Sequence, residues 1–409
     1  MVRFTIILLL LVSCNLNAQS LKQKLQQNTN TSLYIKDLHT TYLFNGFKDL
    51  STENRIHQRL KFKWYINDNF TANVEWRNQF IYGSFVKKVN DLLKLYGPIV
   101  ELLRPDLNIP NSYAELINAS ESPIDLSWIL WKNESAMLYS QIDRLWLQYS
   151  KGDYILTIGR QRINWGINWI WNPNDLFNTA AFLDFDYEER PGTDAIRFQY
   201  YTKKNGKLEV AFHPERDMKK SIGAVLYKFN KKRYDFQTIA GYYKNKLAIG
   251  GGWAGHVKNA GFKTEFTYLQ PLKKEKGKIV GNIGFDYSFI NGLIIQGEVL
   301  YNQFGTTDSV SISDNFFAPQ TLSIENLWAY KWAIATGCNY SVNPRLSIGG
   351  SILLNPTDWS FYVVPNINIF LNDQFDWLFL AQLTQKQEDT TGIVGNFYGT
   401  FSTRLRWSF

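Results

Sequence analysis

Residues 55–82 read RIHQRLKFKWYINDNFTANVEWRNQFIY, and the alternation in this stretch decides the fold. From Phe70 to Tyr82 the even positions are Phe70, Ala72, Val74, Trp76, Asn78, Phe80 and Tyr82, and the odd ones Thr71, Asn73, Glu75, Arg77 and Gln79. The preceding run sets Ile56, Leu60, Phe62, Trp64 and Ile66 against Arg55, His57, Arg59, Lys61 and Lys63. Successive side chains of a strand point to opposite faces, so each run has one apolar face and one charged face. Only Asn67-Asp68 stands between the two runs, which makes a tight hairpin turn.

The pattern persists along the chain. Alternating runs lie near 32–44, 138–150, 153–163, 194–202, 207–213, 221–229, 233–243, 246–255, 259–269, 279–290, 293–304, 329–341, 345–355, 359–371, 375–385 and 396–409. With the first two they make about eighteen strands, an even number as bacterial membrane barrels have, and merging one hairpin would leave sixteen. The predicted fold is an all-β, antiparallel, up-and-down transmembrane barrel. Every second connection is tight: Asn67-Asp68, Lys151-Gly152, 203–206, 230–232, 256–258, Asn291-Gly292, 342–344 and 372–374. The long connections, 83–137, 164–193, 213–220, 270–278, 305–328 and 386–395, all fall at the other end. Only Lys244-Asn245 and 355–358 are short on that side. Outer-membrane barrels have short periplasmic turns and longer outer loops, which assigns the tight set to the periplasm.

Composition narrows the class further. Aromatics make up 16% of the chain, with 23 Tyr and 14 Trp, yet mean hydropathy is -0.27. Beyond the N-terminus no run approaches the ~18 apolar residues of a membrane-spanning helix. A helical membrane protein is excluded, and aromatic girdles of a barrel account for the rings. A large soluble β-protein is the competing reading of alternation alone. Arg3, the apolar stretch Phe4 to Val12 and the small-residue site Asn17-Ala18-Gln19 read as an export signal. Leu11-Val12-Ser13-Cys14 also resembles a lipoprotein box with Cys14 acylated. The expected organisation is a signal peptide over 1–18, a polar periplasmic tail over 19–31 and one barrel over 32–409. Loss of Arg3 with the signal lowers the formal net charge from +8 to +7. Cys14 leaves with it, and Cys338 alone cannot make an internal disulfide. Alternation with Thr336 and Tyr340 turns Cys338 toward lipid.

The last strand alternates Phe401, Thr403, Leu405, Trp407 and Phe409 with Ser402, Arg404, Arg406 and Ser408. Its end, Trp407 to Phe409, resembles the signal by which outer-membrane proteins engage the barrel-assembly machinery. That implies this machinery and outer-membrane lipid as partners, and the outer membrane of a Gram-negative bacterium as location. Barrel closure brings the first and last strands together. Arg404 and Arg406 then join Arg55, Arg59, Lys61 and Lys63 in a basic stripe on the lumen wall. Rings of Arg or Lys favour anions, so the stripe reads as an anion path. It reads equally as a ladder of cations braced by carboxylates such as Glu75, Asp286 and Glu298.

The densest motif runs from Ile158 to Arg197: IGRQRINWG, then NPNDLF, then EERPGTDAIRFQYY. Its Gly-Arg-Gln strand end followed by a long loop resembles a broad group of Gram-negative porin-like proteins that includes the alginate-export family. The likeness covers about forty residues. It implies a cation-lined barrel and carries no individual substrate-contacting residue across. Arg160, Arg162 and Arg197 join the candidate pore-lining set. Asp175, Asp184, Asp186, Glu188 and Glu189 are the candidate loop constriction, where opposed charges orient a polar solute or hold the loop down as a salt-bridge network.

Within 83–137, Val86, Val89, Leu92, Leu93, Tyr96 and Val100 have helical spacing, interrupted by Pro98. Such a helix either inserts into the lumen and narrows it or packs with other outer loops as a cap. The histidines at 39, 57, 213 and 256 sit in no nucleophile or metal-ligand motif. No enzyme activity, cofactor, metal or nucleic-acid partner is expected, an outer-membrane hydrolase being the minor alternative. A TonB-dependent transporter is disfavoured, since the chain lacks room for a larger barrel and a plug. The functional expectation is a channel for passive passage of small polar or anionic solutes, acidic sugars among them. The alternative is an occluded structural or secretion-associated barrel that partners other envelope proteins. Assembly as a homo-oligomer is compatible with either.

Overall fold

The computed structural model describes residues 28–45, 48–103, 109–118, 123–179, 192–308, 323–387 and 396–409. Nineteen strands follow in chain order: β1 (Thr29–Phe44), β2 (Asp49–Tyr65), β3 (Phe70–Tyr82), β4 (Ser127–Lys132), β5 (Ala136–Lys151), β6 (Tyr154–Gln161), β7 (Thr193–Tyr201), β8 (Lys207–His213), β9 (Ile222–Lys231) and β10 (Tyr234–Tyr243), then β11 (Lys246–Val257), β12 (Ala260–Pro271), β13 (Lys278–Ser288), β14 (Leu293–Asn302), β15 (Trp332–Asn343), β16 (Leu346–Leu354), β17 (Phe361–Phe370), β18 (Phe375–Gln387) and β19 (Phe397–Ser408). All but β4 form a closed antiparallel barrel of 18 strands. The ring closes where β1 meets β19, with Leu38 opposite Arg404 and Tyr34 opposite Ser408. Leu33 and Phe409 exchange two backbone hydrogen bonds of 2.8 Å at this seam. Backbone pairing thus leaves no open edge, which hydrocarbon would not tolerate.

The outer face inverts the pattern of a soluble protein. Ile56, Leu145, Ile283, Ile348 and Leu405 are exposed, while Arg59, Glu265, Glu298 and Arg404 on the opposite face are buried. An apolar outside around a polar inside suits only a hydrocarbon surrounding. Trp64, Trp407 and Phe409 mark the end with the short turns, and Tyr82 and Trp332 the other. Cys338 is exposed on the outer face of β15.

Several local features depart from the expected pattern. β1 starts at Thr29, three residues ahead of the expected 32, because Thr29 to Thr31 continue the ladder opposite Trp64 to Phe62. Residues 1–27, with the expected signal and most of the tail, lie outside the described residues. β4 falls inside the 83–137 connection and was not anticipated. It pairs with β5 from Gln141 to Met137, above Leu145, the last β5 residue that β6 reaches. There it covers an edge that would otherwise be unpaired. The outer turn at Lys244-Asn245 is short because both residues take positive φ, 44° and 66°. Such a turn matches strand twist and needs no longer loop.

Two helices, α1 (Ser84–Leu103) and α2 (Tyr113–Ile117), occupy the mouth at the long-loop end. Val86, Val89 and Leu93 of α1 pack with Ile81, Met137 and Tyr139, which face inward from β3 and β5. The helices therefore seat against the inner wall. α1 runs through Pro98 instead of breaking there, since the packed face continues past the missing N–H to Tyr96 and Val100. Ser112 caps α2, its side chain accepting from the Glu115 N–H.

Candidate functional site: a segment across the lumen and the wall facing it

Beyond Gln161 the chain turns into the barrel. From Ile163 to Asn178 most side chains are buried, Trp165, Trp171, Asn174 and Asp175 almost completely. A backbone in this position has lost its strand partners and must find acceptors. Glu265 of β12 accepts from the N–H groups of Ile167, Asn168 (2.9 Å) and Asn174 (3.1 Å). Glu298 of β14 accepts from Trp169, Ile170 (3.1 Å) and Trp171 (3.2 Å), and from the Asn282 side chain at 3.0 Å. Glu209 of β8 accepts from the Trp165 indole N–H at 2.7 Å. Asn174 also donates to the Gly251 carbonyl at 2.9 Å, and Thr267 to the Pro173 carbonyl at 2.9 Å. Hydrogen bonds to a charged acceptor are worth about 1.5–3 kcal/mol each, so three carboxylates pin the segment to one side of the barrel.

Packing completes the attachment. Ile163, Trp165, Leu176 and Phe177 join Ala195, Ala211, Ile222, Ala224, Leu226 and Ala248 in one apolar cluster. Ile170 and Trp171 join Val280, Leu300, Ala333, Ala335 and Leu353 in another. The inner face of β7–β16 is small and apolar where these rings lie. Gly337 has no space for a Cβ beside the Trp169 ring, and a Cβ at Gly250 would meet Asn174 Oδ1 at 2.7 Å. Below the segment, toward the short turns, a cavity of about 290 Å³ is lined by Ile167, Lys228, Asn230, Asp235 and Gln237 among others.

The opposite wall is charged. Arg404 and Arg406 both bind Asp376, at 2.7 and 2.6 Å. Arg59 binds Glu75 and Asp143, each at 2.7 Å, and Arg77 lies 3.4 Å from Asp143. Arg55 binds Glu53 at 2.7 Å. These guanidiniums form a braced ladder. Basic groups outnumber carboxylates on this wall, and Arg55, Lys61, Lys63 and Arg406 keep partial exposure toward the lumen. Lys63 Nζ stands 5.0 Å from the centre of the Tyr65 ring.

Three expected roles change. Glu298 braces no cation among the described residues; its oxygens hold the lumen segment. Asp286 does pair, with Lys263 at 3.0 Å, away from the stripe. Arg160 is enclosed at the end of β6. It binds Asp194 at 2.8 Å and donates to the carbonyls of Ile142 (3.3 Å) and Ile124 (2.5 Å), and is 4% exposed. Gly159, just before it, takes φ 114°. Arg162 is exposed at the start of the segment, and Arg197 binds Glu209 at 2.7 Å. Asp175 receives the Trp165 N–H at 3.3 Å. Asp184, Asp186, Glu188 and Glu189 lie outside the described residues.

In the mouth, the Tyr113 hydroxyl donates to Glu53 at 2.5 Å. Burial, and then the Glu53 carboxylate, push the Tyr113 phenol well above its ordinary value. It stays a neutral donor that ties α2 to the wall.

No family model matches the chain, and no curated protein matches it in sequence. Solved structures do match. Pseudomonas aeruginosa OpdK, crystallised with vanillate, aligns at TM-score 0.56 and 8% identity, over 94% of this chain and 99% of that one. Pseudomonas aeruginosa OccK11 aligns at 0.54 and 7% identity, over 94% and 96%. Acinetobacter baumannii OccAB2 aligns at 0.54 and 8% identity, over 94% and 98%. The chain has the 18-stranded barrel fold of outer-membrane porins. At such identities the likeness covers the fold alone.

Proposed function

We propose that this protein is a channel of a Gram-negative outer membrane, passing small polar solutes with a preference for anions. The observation that carries the reading is the division of the lumen. One side is filled by a segment pinned through Glu209, Glu265 and Glu298, and the free side is a wall with an excess of basic groups. A fixed constriction beside fixed charge sorts solutes by size and sign without moving parts. OpdK, which shares the fold, was crystallised with vanillate, a small carboxylate. The resemblance of 158–197 to alginate exporters points to acidic sugars as one class of solute.

Planar-bilayer recordings across a KCl gradient test this. Stepwise conductance is expected, with a reversal potential displaced toward that of chloride. Lys61→Gln with Lys63→Gln should cut the anion-to-cation permeability ratio severalfold, since both side chains are half-exposed toward the lumen. Absence of conductance steps from the folded barrel would discard the channel reading, and an unchanged ratio in the double variant would discard the role of the wall.

A second reading, an occluded barrel that partners other envelope proteins, is favoured by one feature: α1 and α2 sit against the inner wall of the mouth.

A further inference from the structure

The apolar belt of the barrel is broken on one side. On β10–β17 the outward side chains, apart from Gln270 at the long-loop end of β12, are apolar or aromatic, or are Gly, Ala, Pro, Cys or Thr; those of β13 include Ile279, Gly281, Ile283 and Phe285. On β1–β3 the same face carries Asp37, His39, Asn54, Gln58 and Asn78. These residues lie within the belt. Asp37 stands opposite Leu405 of β19 and Ile56 of β2, both outward and exposed. Gln58 lies between Ile56 and Leu60, and Asn78 between Trp76 and Phe80.

Most of these groups find partial company. Asn78 Nδ2 donates to Gln58 Oε1 at 2.7 Å. His39 Nδ1 lies 2.7 Å from Asn54 Oδ1, and Thr41 Oγ1 3.2 Å from His39 Nε2. Asp37 is the exception: its carboxylate is exposed and makes no ion pair among the described residues. An ionised carboxylate against hydrocarbon is strongly unfavourable, and such groups in membrane proteins face a partner or water.

The geometry points to a second copy of this chain as the cover of this patch. The patch carries its own acid and its own imidazole, two residues apart on one strand. An axis along the membrane normal keeps both copies at equal depth. A two-fold axis through the patch then brings Asp37 of each copy close to the His39, Asn54 and Gln58 side chains of the other, a self-complementary contact. The carboxamides of Gln58 and Asn78 add hydrogen-bonding groups at that depth, and polar side chains of this kind join membrane segments. Lipid chains supply none of these partners.

The test uses the full-length protein in mild detergent and in lipid nanodiscs, with mass read by light scattering. Disulfide capture uses Gln58→Cys in a Cys338→Ser background. The native Cys338, on the outer face six strands away around the ring, is the control. A mass of two chains is expected, with a disulfide-linked pair through position 58 and none through Cys338. Asp37→Leu with Gln58→Leu should weaken the assembly at least tenfold in a dilution series, while unheated electrophoretic mobility shows the barrel intact. A single-chain mass in both media, or equal capture at 58 and 338, would overturn the inference.

Discussion

At the scale of single residues, the site depends on carboxylates that bind backbone. Glu298 takes the N–H groups of Trp169, Ile170 and Trp171 together with the Asn282 side chain. A neutral amide keeps the shape but accepts weakly through one oxygen, and charged acceptors make bonds roughly twice as strong as neutral ones. Glu298→Gln should therefore loosen Trp169 to Trp171 by about 2 kcal/mol or more, taking the magnitude of charged hydrogen bonds. The wall is unaffected, since Glu298 carries no cross-strand ion pair. Single-channel traces should then show larger conductance and frequent brief closures, with the unheated protein still running as a folded barrel. Traces identical to those of the wild type would mean that packing of Ile170 and Trp171 alone holds the segment.

At the scale of elements, the mouth helices decide between an open and an occluded barrel. α1 contacts the wall through Val86, Val89 and Leu93, and the Tyr113–Glu53 bond ties α2 down. Replacing residues 84–126 by a short Gly-Ser linker leaves β4 with its partner on β5. In an open channel this raises conductance modestly, about twofold or less. If the helices occlude the barrel, the wild type is silent and the shortened variant conducts. The strands themselves were legible because period-two alternation is set by geometry at every residue. The anchors of the inward fold of 163–178 were not, since Glu209, Glu265 and Glu298 occupy polar positions that look like any other lumen residue. A signal existed all the same: Ala211, Ala224, Ala248 and Ala335 are small apolar residues on the face that should be polar, so something apolar had to cover them. The Arg160–Asp194 ion pair was not legible either, since the two residues lie 34 positions apart in the chain.

At the scale of the whole molecule, selectivity rests on a charge excess, since each guanidinium of the ladder is largely answered by a carboxylate nearby. Paired charges act as dipoles whose field fades within a few ångströms, whereas the excess of basic groups over carboxylates on the wall acts across the lumen. Salt separates these contributions. The screening length falls from about 10 Å at 0.1 M salt to about 3 Å at 1 M. A preference carried by surplus charge across an open lumen must weaken over that range, because ions then pass beyond its reach. The anion-to-cation permeability ratio should fall severalfold between 0.1 M and 1 M KCl and approach unity at the upper end, while conductance grows with salt. In the Lys61→Gln, Lys63→Gln variant the ratio should start low and change little. A wild-type ratio that stays high at 1 M would place the preference in direct contacts at the constriction, at exposed Arg162 or in the cavity lined by Lys228.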